Sequence, residues 1–381
     1  MRTVLSGLDR LDTAEPLLRG KRLGLMTNQT GIDCRFRSGI DILFSQYRLT
    51  ALFAAEHGIR GDVQAGEHFE AQPDPVTGVP VYAVYGGNHR LTDEMLDTFD
   101  VLIFDMQDVG ARFFTFLYAL SFALEECARA GKPVVVLDRV NPLGGEKVEG
   151  PVLDERFASY VGMYALPTRY GLTIGEYALW VKHHLKLDSL DLTVVPLAGW
   201  RRQDYLDDLN LPWPAPSPNC ATFHAALCYI GTCIFEGTNV SEGRGTTLPF
   251  EYIGAPWIDA LTLSEKLNAR PLPGLYFRPV YFTPTFSKYA GQQCRGVQMH
   301  ITDRHAACPV EGGLALLDAI RALYPDQLTF LPSGENAFFI DKLLGTDDYR
   351  LGRLDGPSLL AAHAPAREAF LEERKPFLLY E

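Results

Sequence analysis

Asp100-Val-Leu-Ile-Phe-Asp105 and Pro133-Val-Val-Val-Leu137, with the stretch Thr115 to Ala130 between them, decide the fold of this chain. Both apolar runs have strand length. The stretch between them closes on Gly131-Lys132-Pro133, an αL-tolerant residue followed by one that cannot continue a helix. Strand, helix and strand in this order make a βαβ unit, and a parallel sheet is the natural consequence.

Outward from this unit, further strands are predicted at 22–27, 50–55, 79–85 and 192–197, and short helices at 91–99 and 177–185. Thr173-Ile-Gly-Glu176 has the form of a capping box ahead of the second helix, which gives Glu176 a structural task. The fold class is therefore α/β, with a Rossmann-like parallel sheet in an N-terminal domain spanning 1–228. A Gly/Pro-rich excursion from Gly58 to Pro80 exceeds an ordinary connection and is long enough for a lid. Leu211 to Asn219 holds four prolines in nine positions, which suits a stiff wall. Residues 229–381 read as a smaller α+β C-terminal domain closing a cleft, with helices near 260–270, 311–323, 335–344 and 357–372 and strands near 276–283 and 296–302.

The net charge of −12 and a pI near 5.3, without any Lys/Arg-rich run, argue against a nucleic-acid partner. No apolar run reaches membrane-spanning length, and Met1 to Arg10 lacks the apolar core of a signal peptide, so no membrane partner and a cytoplasmic location are expected. Seven cysteines, odd in number and free of CxxC spacing, favour reduced thiols.

Polar clusters leave the predicted strands at their carboxyl ends, where open α/β sheets bind ligands. Asn28 follows the first strand and Glu56-His57-Gly58-Ile59-Arg60-Gly61 the second; Asp105, Gln107, Asp108 and Arg112 follow the strand at 100–105, and Asp138 and Asn141 the strand at 133–137. The second domain opens with a dense polar stretch containing Asn239, Glu242 and Arg244. Walker spacing and a strand-linked GxGxxG are both missing, so no nucleotide cofactor is expected. Glu56, His57, Asp105, Asp108 and Asp138 could converge on Mg or Mn in a metal-dependent hydrolase, but no fixed ligand spacing supports a metal. Glycoside hydrolysis needs a proton-donating carboxyl and a second charged group, and Glu56 with Asp108 or Glu242 could supply them. Asn28, Gln107, Asn141 and Asn239 are types that read sugar hydroxyls. Phe113, Phe114 and Tyr118 read as core rather than as stacking platforms.

These motifs, together with Ser217-Pro-Asn219, the run Phe235 to Thr246, Tyr281-Phe-Thr-Pro-Thr285 and the closing Phe377-Leu-Leu-Tyr380, resemble the exo-β-N-acetylmuramidase family, a group of peptidoglycan-recycling glycosidases. The resemblance extends over nearly the whole chain. It implies a Rossmann-like domain and a smaller C-terminal domain with the active cleft between them. The implied reaction is release of N-acetylmuramic acid (MurNAc) from the non-reducing end of small peptidoglycan fragments. By position, the Glu of the Glu-His-Gly motif makes Glu56 the catalytic residue, while His57, Asp105, Gln107, Asp138 and the other motif residues would line the cleft. The lactyl carboxylate of MurNAc needs a local cation, and Arg60, Arg112 and Arg244 are the motif arginines. A non-catalytic muropeptide- or sugar-binding protein would show the same polar cleft. Many family members are exported; without a leader, this chain is expected to act on fragments already imported.

Overall fold

The computed structural model describes residues 3–55, 58–61, 72–84, 89–335 and 337–381. Six strands form one parallel sheet: β1 (Arg22–Thr27), β2 (Arg48–Ala54), β3 (Val81–Ala83), β4 (Val101–Asp105), β5 (Val134–Leu137) and, two strands later in the chain, β8 (Leu192–Val195). Their order is β3-β2-β1-β4-β5-β8. The chain runs outward from β1 through β2 to β3, then returns to the other side of β1 for β4. The topological switch point thus lies between β1 and β4.

Alternation along each strand explains the layers. Met26, Phe53, Leu102, Phe104, Val134 and Val136 face a core shared with α4 (Phe116–Ala130) and α5 (Ile174–His184). Leu23, Leu25, Leu52, Ile103, Val135 and Leu137 face a second core with Leu8 and Leu11, α1 (Glu15–Leu18) and α2 (Gly39–Gln46). Both faces are covered, which is why these strands read as continuous apolar runs. α4 ends as expected, with Gly131 in the left-handed region. The capping box of α5 forms between Thr173 and Glu176, and Glu176 also pairs with Arg202 at 2.6 Å. A short helix α3 (Asp93–Leu96) and an antiparallel pair, β6 (Glu149–Val152) with β7 (Pro167–Arg169), complete this half.

Residue 228, expected as the domain junction, lies inside α6 (Phe223–Thr232). The second half holds an antiparallel sheet ordered β10-β11-β9, from β9 (Tyr252–Ala255), β10 (Leu275–Phe282) and β11 (Cys294–Ile301). Around it stand α7 (Ala260–Asn268), α8 (Pro309–Leu323) and α9 (Phe339–Leu344). The helix expected at 357–372 is two, α10 (Gly356–Ala362) and α11 (Ala364–Glu373), because Pro365 lacks the N–H to continue and starts a new helix instead. The two halves share one apolar cluster: Phe277, Val297 and Leu316 belong to the same core as Phe104 and Tyr177. No helix among the described residues is long and apolar enough to cross a membrane.

α6 and α8 cross at glycine. A Cβ on Gly313 would fall 1.9 Å from the Gly231 carbonyl oxygen, and one on Gly231 would fall 1.9 Å from that of Pro309. Backbone cannot yield as a flexible side chain can. Gly313→Ala is expected to destabilise the protein by about 1–3 kcal/mol or more, seen as a lower urea midpoint at unchanged slope.

Candidate functional site at the switch point

The turn after β1 and the tail of β4 are stitched together. Thr27 Oγ1 donates to the Asp105 carbonyl at 2.7 Å, and the Gln107 amide donates to Thr30 Oγ1 at 2.9 Å. Asn28 Oδ1 accepts from the Thr30 amide at 3.0 Å and its hydroxyl at 2.6 Å, an Asx-type turn that fixes the Asn28 side chain. Its Nδ2, the neighbouring Gln29 Oε1 and Asp108 Oδ1 are buried with no hydrogen-bond partner among the described residues. Unpaired buried polar atoms are costly, and three of them cluster on adjoining strand ends.

Asp108 is a buried carboxyl with one oxygen left unbonded among the described residues. Its Oδ2 accepts from the Gly110 amide at 2.6 Å and from the Tyr170 hydroxyl, while Oδ1 stands alone. Burial pushes its pKa up from 3.8 to about 6, against the pull of those two donors. The Tyr170 hydroxyl reaches Asp108 across 62 residues, which no local pattern encodes.

Several motif residues expected to line the cleft also brace the scaffold through bonds within the protein. Asp105 is fully buried in a two-bond ion pair with Arg139, at 2.6 and 2.9 Å. Asp138 accepts from the amides of Arg139 and Gly175 and the hydroxyls of Thr173 and Tyr380; burial pushes its pKa up to about 7. Asn141 spends its amide on Leu172 O at 2.9 Å and the Leu143 N–H at 3.0 Å. Gln107 Nε2 donates to the Asp108 and Val140 carbonyls. Asn239 ties both ends of its amide to Gln327 O and the Thr329 N–H. Arg112 is sealed from solvent, donating from Nη2 to Leu343 O at 2.9 Å, and desolvation lowers its pKa to about 10. It is closed to solvent, and no carboxylate among the described residues bonds it. Phe113, Phe114 and Tyr118 lie in the core.

Arg60 is occupied by Asp74, with bonds of 2.7 and 3.0 Å, and that pairing holds the Asp74 carboxyl down to about 2 against its burial. In the second half, Glu242 Oε2 accepts from Lys288 at 2.9 Å and Oε1 lies 3.4 Å from Arg244 Nε. Arg244 Nη2 donates to Glu236 at 2.7 Å, and its guanidinium stands over the Phe250 ring at 5.2 Å. Glu236 and Lys288 were not singled out in the sequence, although Glu236 sits inside a quoted motif. Burial, then Glu242, raise the Glu236 pKa, and Arg244 opposes them. Glu56 and His57 lie outside the described residues, as do residues 62–71 of the excursion expected to form a lid.

Cavities narrow the choice of site. A pocket lined by Thr30, Gln107, Arg139, Pro212 and Pro214 has only ≈ 20 Å³, room for about one water and no sugar. A groove of ≈ 470 Å³ beside Lys266, Arg270 and Arg321 contains none of the motif residues. No group of three or more His, Cys, Asp or Glu that could hold a metal ion is found among the described residues.

Two family models match the chain: "Exo-beta-N-acetylmuramidase NamZ, N-terminal" over residues 23–224 and "Exo-beta-N-acetylmuramidase NamZ, C-terminal" over 227–380. The chain is 44% identical over 383 residues to the peptidoglycan beta-N-acetylmuramidase NamZ of Bacillus subtilis (strain 168), covering 99% of this chain and 91% of that protein. It is also similar to two DUF1343 family crystal structures from Bacteroides fragilis NCTC 9343. Their TM-scores are 0.90 and 0.77, at 34% and 30% identity, each over 99% of both chains.

Asp108 should leave a pH signature. Its raised pKa means that the folded state binds more protons than the unfolded state between about pH 4 and pH 6, so its contribution is full below pH 4 and is lost as pH rises through 6. Asn fits the site, with Oδ1 replacing the bonded oxygen and Nδ2 the unbonded one. Asp108→Asn should flatten the fall in stability across this window by on the order of 3 kcal/mol in urea unfolding at stepped pH. An unchanged slope would show that Asp108 ionises freely.

Proposed function

The chain belongs to the exo-β-N-acetylmuramidase NamZ family, and from that premise we propose that it is a glycosidase releasing MurNAc from the non-reducing end of peptidoglycan fragments such as the MurNAc–GlcNAc disaccharide. The reading rests on one observation above the others: family similarity over both halves of the chain, with the motifs following parallel strands whose carboxyl ends meet at a switch point. We place its work in the cytoplasm, where seven unpaired cysteines stay reduced.

In the proposed reaction Glu56, which the sequence sets two residues beyond the end of β2, protonates the leaving glycosidic oxygen. Asp108 or Glu242 supplies the second charge, facing the oxocarbenium-like transition state. Asn28 and Gln107 belong to the turn and tail that would border the sugar, with His57 beside Glu56. Proton donation needs no metal. Glu56→Gln should slow MurNAc release by about 10²- to 10⁴-fold, followed by mass spectrometry on MurNAc–GlcNAc, and EDTA should leave the wild-type rate unchanged. Saturable binding without release would make the chain a sugar-binding protein, and loss with EDTA restored by Mg or Mn would make it a metal-dependent hydrolase.

For the lactyl carboxylate we assign Arg244. Arg112 is sealed and Arg60 is bidentate to Asp74, whereas Arg244 is 22% exposed and its Nη1 has no partner among the described residues. Arg244→Met should raise KM for MurNAc–GlcNAc about 10- to 100-fold, the loss expected for one charge-assisted contact. An unchanged KM would return the carboxylate to another cation.

A further inference from the structure

The segment from Pro284 to Gly291 lies across the polar run that carries Glu236, Glu242 and Arg244. Thr285 donates twice to the Gly245 carbonyl, from its amide and its hydroxyl, each at 2.9 Å. The approach is close: a Cβ on Gly245 would sit 2.5 Å from the Phe286 carbonyl oxygen. Beyond it, Ser287 at φ 66° and Tyr289 at φ 58° both occupy the left-handed region, which side chains other than those of glycine and asparagine adopt at a cost. Such strain persists only where the surroundings over-determine it, and it concentrates at functional sites.

Between these two residues Lys288 turns inward. Its ammonium has three N–H donors, and they meet Phe235 O at 2.7 Å, Val240 O at 3.1 Å and Glu242 Oε2 at 2.9 Å, with Glu236 O a longer fourth contact at 3.5 Å. A lysine with its donors spent in this way has none to offer a substrate. What it does is fix one loop at three points, one of them the carboxylate of a candidate partner to Glu56. The partner oxygen of that carboxylate faces Arg244, so the orientation of Glu242 is defined from both sides.

We propose that Lys288 is a positioning residue of the active site, acting through Glu242: the strained 287–289 backbone aims its ammonium so that the Glu242 carboxylate is held in the orientation the hydrolytic step uses. This rests on the functional reading above. Lys288→Met, close in length but uncharged, should lower kcat for MurNAc release about 10- to 100-fold while KM changes less than about threefold, the pattern of a misplaced group that does not bind substrate. Because the effect runs through Glu242, the double variant with Glu242→Gln should be no slower than Glu242→Gln alone. Lys288→Arg, which keeps the cation, should recover part of the rate. Should Met at 288 unfold the protein, Lys288→Gln carries the same kinetic cycle. A folded Met or Gln variant with unchanged kcat, or losses that multiply in the double variant, would overturn this role while leaving the glycosidase reading intact. A wild type that releases no MurNAc would overturn both.

Discussion

The buried ion pair between Asp105 and Arg139 is the constraint on which the switch point depends. Asp105 ends β4 and Arg139 follows β5, and Arg139 also donates to Ile32 O beyond β1, at 3.2 Å. Three strand ends are thereby tied to one guanidinium. Burying both charges is costly, which shows in the upward push of desolvation on the Asp105 pKa against Arg139. Such a pair adds little net stability compared with an apolar replacement, yet losing one partner strands the other charge. Its value here is registry, because it fixes how the turns after β1, β4 and β5 sit together.

The same need for bracing explains why so many motif residues bond within the protein. Loops at strand ends have no ladder to hold them, so their shape must come from side chains that bond backbone. Asp138 and Asn141 do this in the loop after β5 and Asn239 in a second loop, each bonding its polar atoms within the protein. A site that must be rigid needs many such residues for each one that touches a ligand.

The same distinction marks what could be read in the sequence. Strand positions were legible because a sheet covered on both faces makes runs such as Val101 to Phe104 continuously apolar, and because Thr173-Ile-Gly-Glu176 and Gly131 carry local capping chemistry. α2 and α6 were overlooked although Ser38 and Thr222 cap them, since each is short and lies beside a polar loop. The direction of a strand-end side chain has no period to reveal it. Arg112 looked like an anion receptor until its partner, Leu343 O, proved to be 231 residues away, and Lys288 stood outside every motif because its acceptors lie more than forty residues upstream.

Long-range contacts of this sort also join the chain's last residues to its first domain. Arg374 donates to Gly145 O, Tyr170 O and Gly171 O at 3.0, 3.2 and 2.7 Å, and Arg202 donates to the first and last of these. With no carboxylate bonded to it among the described residues, Arg374 has its pKa lowered to about 10 by desolvation and by Arg202. Two cations on the same carbonyls repel each other, and Glu176, paired with Arg202 at 2.6 Å, offsets part of that repulsion. The hydroxyl that the loop at Tyr170 and Gly171 presents is that of Tyr170, the one that bonds Asp108. The C-terminal helix therefore reaches the switch point through two steps, from Arg374 to the loop and from the loop to the carboxyl. The continuous core makes those steps rigid, since Phe370 beside Arg374 packs in the same cluster as Tyr170 and Phe104. Two halves that match separate family models thus share one frame: the first bonds the Asp108 carboxyl directly, through Gly110 and Tyr170, and the second braces the Tyr170 loop through Arg374.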